Sequence, residues 1–373
     1  MKAWPVLGVV LMQAMLLLAH WFIYHTLVVF WPNLSPADSL ALRSALFLLA
    51  FSFIFAALLS FSFSNLLVAF VYRLAAVWLG FLNYFFLAAC LSWLGWFALL
   101  LTRLRPDPWI YRPYLAAVFF SCALLAGAYG LVNALWIRVR RIPIHLPNLP
   151  SSWRGRTALV VSDLHLGNVN GLGFSRRIAH LTARLCPDIV FFPGDFFDGT
   201  RTDPFRLAAP FLPLSPPLGI YYSTGNHDEY GDLAHYVDAL TRAGIRVLTN
   251  EMVTVDGLPI VGVPYGDSTH LLRLRSTLES LRLPAGQPSI LLNHVPNRLP
   301  IVEQAGVSLQ LSGHTHGGQL FPFTWLVRRV FGKFTYGLHP FGPLQVYTSS
   351  GAGTWGPPMR VGTRSEVVLI TFE

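Results

Sequence analysis

The apolar pattern divides this chain into two unlike parts. Across residues 1–141, four stretches (about 6–30, 44–63, 74–101 and 114–136) are almost wholly apolar. A helix needs about 20 such residues to cross a bilayer. Trp4, Trp31, Tyr114 and Trp136 stand near their ends, where amphipathic rings sit at headgroup depth. The first stretch is too long for a signal peptide, has no small-residue cleavage site after it, and is followed by further spans, so it reads as a retained anchor. An N-terminal four-helix transmembrane region over 1–141 is predicted.

From residue 142 the pattern changes. Residues 142–154 carry Pro143, Pro147 and Pro150 and read as a linker. Short apolar runs then alternate with helical stretches. Residues 157–161, 188–192, 219–223, 259–263, 289–292, 309–311, 345–350 and 366–372 are predicted strands. Residues 174–185, 232–243, 268–281 and 298–305 are predicted helices. This alternation predicts an α/β layered domain with mixed sheets over 155–373.

Charge sharpens the division. The formal net charge is +9. Residues 1–150 contain two acidic side chains, Asp38 and Asp107, against nine Lys or Arg, whereas the remainder holds sixteen acidic and eighteen basic. The excess is therefore a membrane-flank signature. No basic stripe interleaved with aromatics follows it, and no nucleic-acid partner is expected. The expected product is a multi-pass protein of the inner or plasma membrane. The side carrying the N-terminus and the second domain has Lys2, Arg73, Arg138, Arg140 and Arg141. The other has Arg43, Arg103, Arg105 and Arg112. The near-even count leans the second domain toward the cytoplasm. His20 and His25, inside the first span without an acidic partner, read as neutral histidines bonded between helices or near an interface. Cys90, Cys122 and Cys186 show no metal or disulfide spacing.

Five short segments carry the chemistry: Ser162-Asp163-Leu164-His165, Gly194-Asp195-Phe196-Phe197-Asp198, Gly225-Asn226-His227-Asp228, Asn293-His294 and Gly313-His314-Thr315-His316. Each follows an apolar run, and ligands in such sheets collect beyond the carboxyl ends of strands. Oxygen and imidazole donors without thiolate suit Mn, Fe, Zn, Co or Mg. In a strand, the two histidines at 314 and 316 would share a face.

The order Asp-x-His, Gly-Asp-x-x-Asp, Gly-Asn-His-Asp, His, Gly-His-x-His resembles that of the calcineurin-like metallophosphoesterase superfamily, over essentially 155–373. The tail from Ser350 to Arg360 looks like the membrane-associated bacterial branch, which includes relatives of UDP-2,3-diacylglucosamine hydrolases. The resemblance implies a four-layer α/β/β/α sandwich and two divalent metal ions. Asp163, His165 and His316 would bind one ion and Asn226, His294 and His314 the other, with Asp195 bridging. His227 would be the general acid, Asp228 would orient it, and Asp198 would support a ligand histidine or Asn226. The implied activity is hydrolysis of a phosphodiester or pyrophosphate by metal-hydroxide in-line attack. The apolar first part adds the bilayer as a partner and a lipid-linked or envelope phosphate compound as the expected substrate. A broad-specificity phosphomonoesterase and a non-catalytic membrane scaffold are the alternatives. Residues 320–338 mix Phe321, Phe323, Trp325, Phe331 and Phe334 with Arg328, Arg329 and Lys333. They read either as an interfacial segment, with Arg328 or Arg329 meeting substrate or membrane, or as a packed cap over the sheet.

Overall fold

The computed structural model describes residues 3–102 and 108–373. Lys2, Arg103, Arg105 and Asp107 lie outside them, and the side chain of Trp4 is likewise not described. The chain forms two compact units: residues up to Val132 together with Gly356–Met359, and Asn133–Trp355 together with Arg360–Glu373.

The first unit is built on helices α1 (Ala3–Phe30), α2 (Pro36–Ser62), α3 (Leu66–Thr102) and α4 (Arg112–Leu135). All four are long and apolar enough to cross a membrane. All four begin earlier than the apolar runs suggest, α2 because Ser35 caps it by accepting the Asp38 N–H and α3 because it continues through Arg73. At 1.5 Å per residue α3 is about 55 Å long, beyond a hydrocarbon core of about 30 Å. His20 closes a polar link inside the bundle. Its Nδ1 lies 2.7 Å from the Leu16 carbonyl, and its Nε2 accepts from Trp78 Nε1 at 2.9 Å. His25 stacks against Trp21 and Trp93.

The second unit contains two six-stranded mixed sheets. The first has the order β1 (Arg138–Ile144), β12 (Glu366–Phe372), β2 (Thr157–Val160), β3 (Ile189–Pro193), β4 (Ile220–Ser223), β5 (Arg246–Val247). The second has the order β10 (Gly337–Phe341), β11 (Leu344–Thr348), β9 (Leu309–Ser312), β8 (Ile290–Leu292), β7 (Leu258–Gly262), β6 (Glu251–Val255). Because successive strand residues face opposite ways, each sheet feeds two cores. Ala158, Val160, Ile189 and Phe191 meet Ile260, Ile290, Leu309 and Leu311 between the sheets. Leu159, Val190 and Phe192 face outward to α5 (Leu172–Leu185) and α8 (Leu233–Arg242). On the far side, Val261, Leu291 and Val346 pack on α10 (Leu271–Leu281) and α11 (Leu299–Gln304). These layers give the α/β/β/α arrangement. The remaining short helices are α6 (Pro204–Ala208), α7 (Asn226–Tyr230), α9 (Tyr265–Ser268) and α12 (Phe323–Phe331).

The stretch whose prolines mark it as a linker is more ordered than that. β1 runs to Ile144 and pairs with β12 in parallel, and Trp153 is wholly buried against Phe372. Pro143 is tolerated because β1 is an edge strand. The last turn of α4 belongs to this unit. Asn133 Nδ2 donates to the carbonyls of Arg360 (2.8 Å) and Thr363 (2.9 Å), and Ser365 Oγ donates to the Ala134 carbonyl.

Candidate metal centre

All five motifs follow the carboxyl ends of β2, β3, β4, β8 and β9, four in loops and Asn226-His227-Asp228 in the first turn of α7. Backbone bonds tie the loops to one another: Asp163 N–H to the Gly194 carbonyl, His165 N–H to the Asp195 carbonyl and Gly313 N–H to the His294 carbonyl. Asp163, His165, Asp195, His314 and His316 all adopt left-handed backbone conformations, with φ between +46° and +67°. Such angles are uncommon for residues with a Cβ, although Asp and His tolerate them best, and they cluster where function demands a shape. This overturns the expectation that His314 and His316 project from a strand. They sit in a tight loop after β9 and part company. His314 Nδ1 lies 2.9 Å from Asn226 Oδ1, whereas His316 Nε2 lies 3.0 Å from His165 Nε2. Gly225 and Gly313 make the approach possible, since a Cβ on either would run into the Asp195 or the Asp163 carboxylate.

Asp195 stands between the two groups of donors. Its Oδ1 accepts the His227 N–H at 2.9 Å, and its Oδ2 lies 3.0 Å from His294 Nε2 and 3.6 Å from His165 Nε2. Asp163 Oδ1 accepts the His314 N–H at 2.9 Å and lies 3.5 Å from His316 Nε2. Asp163, His165 and His316 bring one donor atom each within 4.8 Å of one another, and so do Asp163, Asp195 and His294. Asp198 lies 3.6 Å from His165 Nδ1.

Burial and charge set the protonation of this cluster. Burial opposes a proton on His294, but Asp195 and Asp163 outweigh it and raise its pKa to about 9. Burial likewise works against His165, and Asp198, Asp195 and Asp163 together raise it. Asp195 would be pushed up by burial, yet His294 and His165 hold it well below the usual carboxylate range. Burial pushes Asp163 up. His314 is lowered to about 3 and His316 well below its ordinary value, first by burial and then by neighbouring positive charge.

The donor set fits divalent cations. His294 Nδ1 lies 2.8 Å from the Pro193 carbonyl, which leaves Nε2 aimed at Asp195 without a hydrogen bond of ordinary geometry. That is the pattern of a ligand histidine oriented from behind. Two imidazole nitrogens of buried rings facing each other at 3.0 Å, as in His165 and His316, require a proton or a cation between or beside them.

Other residues take parts that the motifs do not announce. The Asp228 carboxylate does not reach back to orient the His227 ring. It accepts the N–H groups of Asp195 (2.8 Å), Phe197 (2.9 Å) and Gly225 (2.9 Å), so it holds two ligand loops together. Burial, then repulsion from Asp195, raises it to about 6. His227 Nδ1 instead lies 3.3 Å from the Asp198 carbonyl. The wholly buried Arg360 donates to the carbonyls of Ser350 and Gly353 (2.6 Å each) and of His316 (3.3 Å). Trp355 faces the His227 ring at 5.4 Å, Tyr265 faces His314 at 6.1 Å, and Phe331 faces His314 at 6.2 Å. Glu229 accepts from Thr224 Oγ1 and from the Gly266 N–H. Arg328 and Arg329 lie exposed on α12, the latter over the Trp325 ring.

Comparison with known proteins agrees with this chemistry. The calcineurin-like phosphoesterase family matches residues 156–318. A protein of Aquifex aeolicus (strain VF5), named an uncharacterized metallophosphoesterase, is 34% identical over 256 residues, which cover 67% of this chain and 97% of that relative. A Danio rerio protein named transmembrane protein with metallophosphoesterase domain is 31% identical over 281 residues, 70% of this chain. The match spans 63% of the Danio relative's own length. With four membrane-type helices and an Asp, His and Asn cluster at the joined sheet ends, the chain belongs to the calcineurin-like metallophosphoesterases.

Proposed function

We propose that this protein is a membrane-anchored phosphoesterase using two divalent metal ions to hydrolyse a phosphodiester or pyrophosphate bond of a lipid-linked or envelope substrate. The observation that carries the reading is the convergence of six donor residues from two sheets around Asp195. Asp163, His165 and His316 would hold one ion, Asn226, His294 and His314 the other, and Asp195 would serve both. Bound divalent cations polarise a phosphoryl oxygen and lower the pKa of an attacking water.

The chain's own groups supply the rest. His227 sits at the rim of the cluster, partly exposed, with its pKa lowered by burial and by His165. With Nδ1–H on the Asp198 carbonyl, Nε2 is left to carry the transferred proton. An anionic phosphoester beside the ring would raise its proton affinity and make it an acid toward the leaving oxygen. Asp228 keeps the Asp195 and Gly225 loops in register. Trp355, beside the His227 ring, and Tyr265, beside the His314 ring, would limit water around the departing group.

The test uses the full chain in detergent or nanodiscs. Wild type should hydrolyse bis-p-nitrophenyl phosphate only with divalent metal, and Asp195→Asn or His227→Ala should lose activity while still inserting in the membrane. Full activity in either variant refutes the assignment.

A further inference from the structure

We infer that α12 is an interfacial helix that enters the headgroup layer of an anionic bilayer and forms a lipid-facing wall of the metal centre. Its role beside the metals rests on the function proposed above; its membrane contact does not.

The helix has two faces. Thr324, Val327 and Phe331 turn inward. Thr324 lies against Gly318 and Gly362, Thr335 Oγ1 is 3.4 Å from the Val327 carbonyl, and Phe331 meets the His314 ring. Outward stand Phe323, Trp325, Leu326 and Val330, each about half exposed or more, with Val330 at 70%. No residue of this helix is buried. A water-facing helix does not ordinarily spend four large apolar side chains in nine positions on solvent.

Charge names the occupant. Arg328, Arg329 and Lys333 flank the apolar face, and residues 304–365 contain no Asp or Glu. An apolar face rimmed by cations, without acidic side chains, matches the surface of an anionic bilayer. A protein partner would have to bring both an apolar and an acidic surface to the same spot.

Position agrees. The last turn of α4, where the fourth span ends, holds the Arg360 and Thr363 carbonyls through Asn133. The residues between them hold the start of α12: the Phe321 N–H donates to the Val361 carbonyl, and Thr324 rests on Gly362. One four-residue segment thus ties Asn133 to the head of the apolar helix. Exposed Trp136, with Arg138 over its ring at 4.6 Å, marks headgroup depth at that same end.

The test is site-directed spin labelling of the full chain, with Cys90, Cys122 and Cys186 replaced by Ala. Labels are placed by Leu326→Cys and Val330→Cys on α12 and by Leu272→Cys on α10 as a water-exposed reference. In phosphatidylcholine vesicles containing phosphatidylglycerol, the α12 labels should collide with oxygen in preference to a soluble nickel chelate, and the reference label should do the opposite. Labels on α12 that behave like the reference overturn the inference, as do labels shielded from both reagents, which would mean a protein cover. A Leu326→Glu, Val330→Glu double variant should lower the ratio of vesicle-borne to soluble-substrate kcat/KM by about tenfold or more. An unchanged ratio also counts against the inference. Absence of hydrolysis by wild type would strike the proposed function and leave the labelling result standing.

Discussion

The Nε2 atoms of His165 and His316 meet at 3.0 Å in a space where both rings are buried. The two residues follow strands of different sheets, and the contact requires a proton on one ring, favoured at His165 by Asp198, Asp195 and Asp163, or a bound cation beside both. Replacing either with alanine should remove one donor of the proposed metal site along with this contact. Metal analysis of purified His165→Ala or His316→Ala should show reduced divalent metal, with hydrolysis down by about 10²-fold or more. Wild-type metal content in both would exclude them as ligands.

Metal binding should release a proton. In the metal-free protein His294 has a pKa of about 9, so at pH 7.5 it carries a proton that a cation must displace. Calorimetric titration of metal in buffers of different ionisation enthalpy should report about one proton or more released near pH 7.5 and fewer above pH 10. The same shift bears on stability. A folded pKa raised above the ordinary 6.5 stabilises the metal-free fold fully below pH 6.5, and that contribution is lost as pH rises through about 9. EDTA-treated protein should thus lose thermal stability across that window, and a His294→Gln variant should show a flatter curve.

Asp228 should matter more to stability than its place beside His227 suggests. Its carboxylate accepts three backbone N–H groups with no exposure to solvent. Asp228→Asn puts a donor among donors and should cost about 2–3 kcal/mol, read as a lower unfolding midpoint. If Asp228 chiefly oriented His227, the variant would keep its stability and show a displaced pH–rate profile.

Arg360 should resist conservative replacement. Its fork reaches the carbonyls of Ser350, Gly353 and His316 at once, a span a single ammonium does not match. Both Arg360→Lys and Arg360→Met should lose metal together with activity, with about 1–3 kcal/mol of destabilisation for each buried carbonyl left unpaired. A fully active Arg360→Lys protein would show that charge alone suffices.

The gathering of the Asp, His and Asn donors is legible in the sequence because each motif follows a buried strand such as Ile189–Pro193 or Leu309–Ser312. Membrane spans are legible because length and composition are what a bilayer selects. Other elements are hidden for physical reasons. β1, with three arginines and a proline, has the composition of a flank; pairing along β12 makes it a strand. β10 contains Pro340 and joins the sheet through β11 alone. The turn that separates His314 from His316 depends on left-handed backbone at both, which residue type permits and does not announce. Trp355 meets His227 from a loop far along the chain, and no local pattern encodes such a meeting.

β12 lies between β1 and β2 in the first sheet, with consequences for the order of assembly. During synthesis, β1 follows the fourth span directly and then waits, its pairing edge open, until residues 366–372 have been made. The spans can enter the bilayer while β2, whose following loop carries Asp163, is still without one of its two neighbours. The Asp163 loop therefore gains its full sheet support late, after the anchor is in place, and a ribosome stalled short of β12 would leave an inserted protein with β2 open on one side.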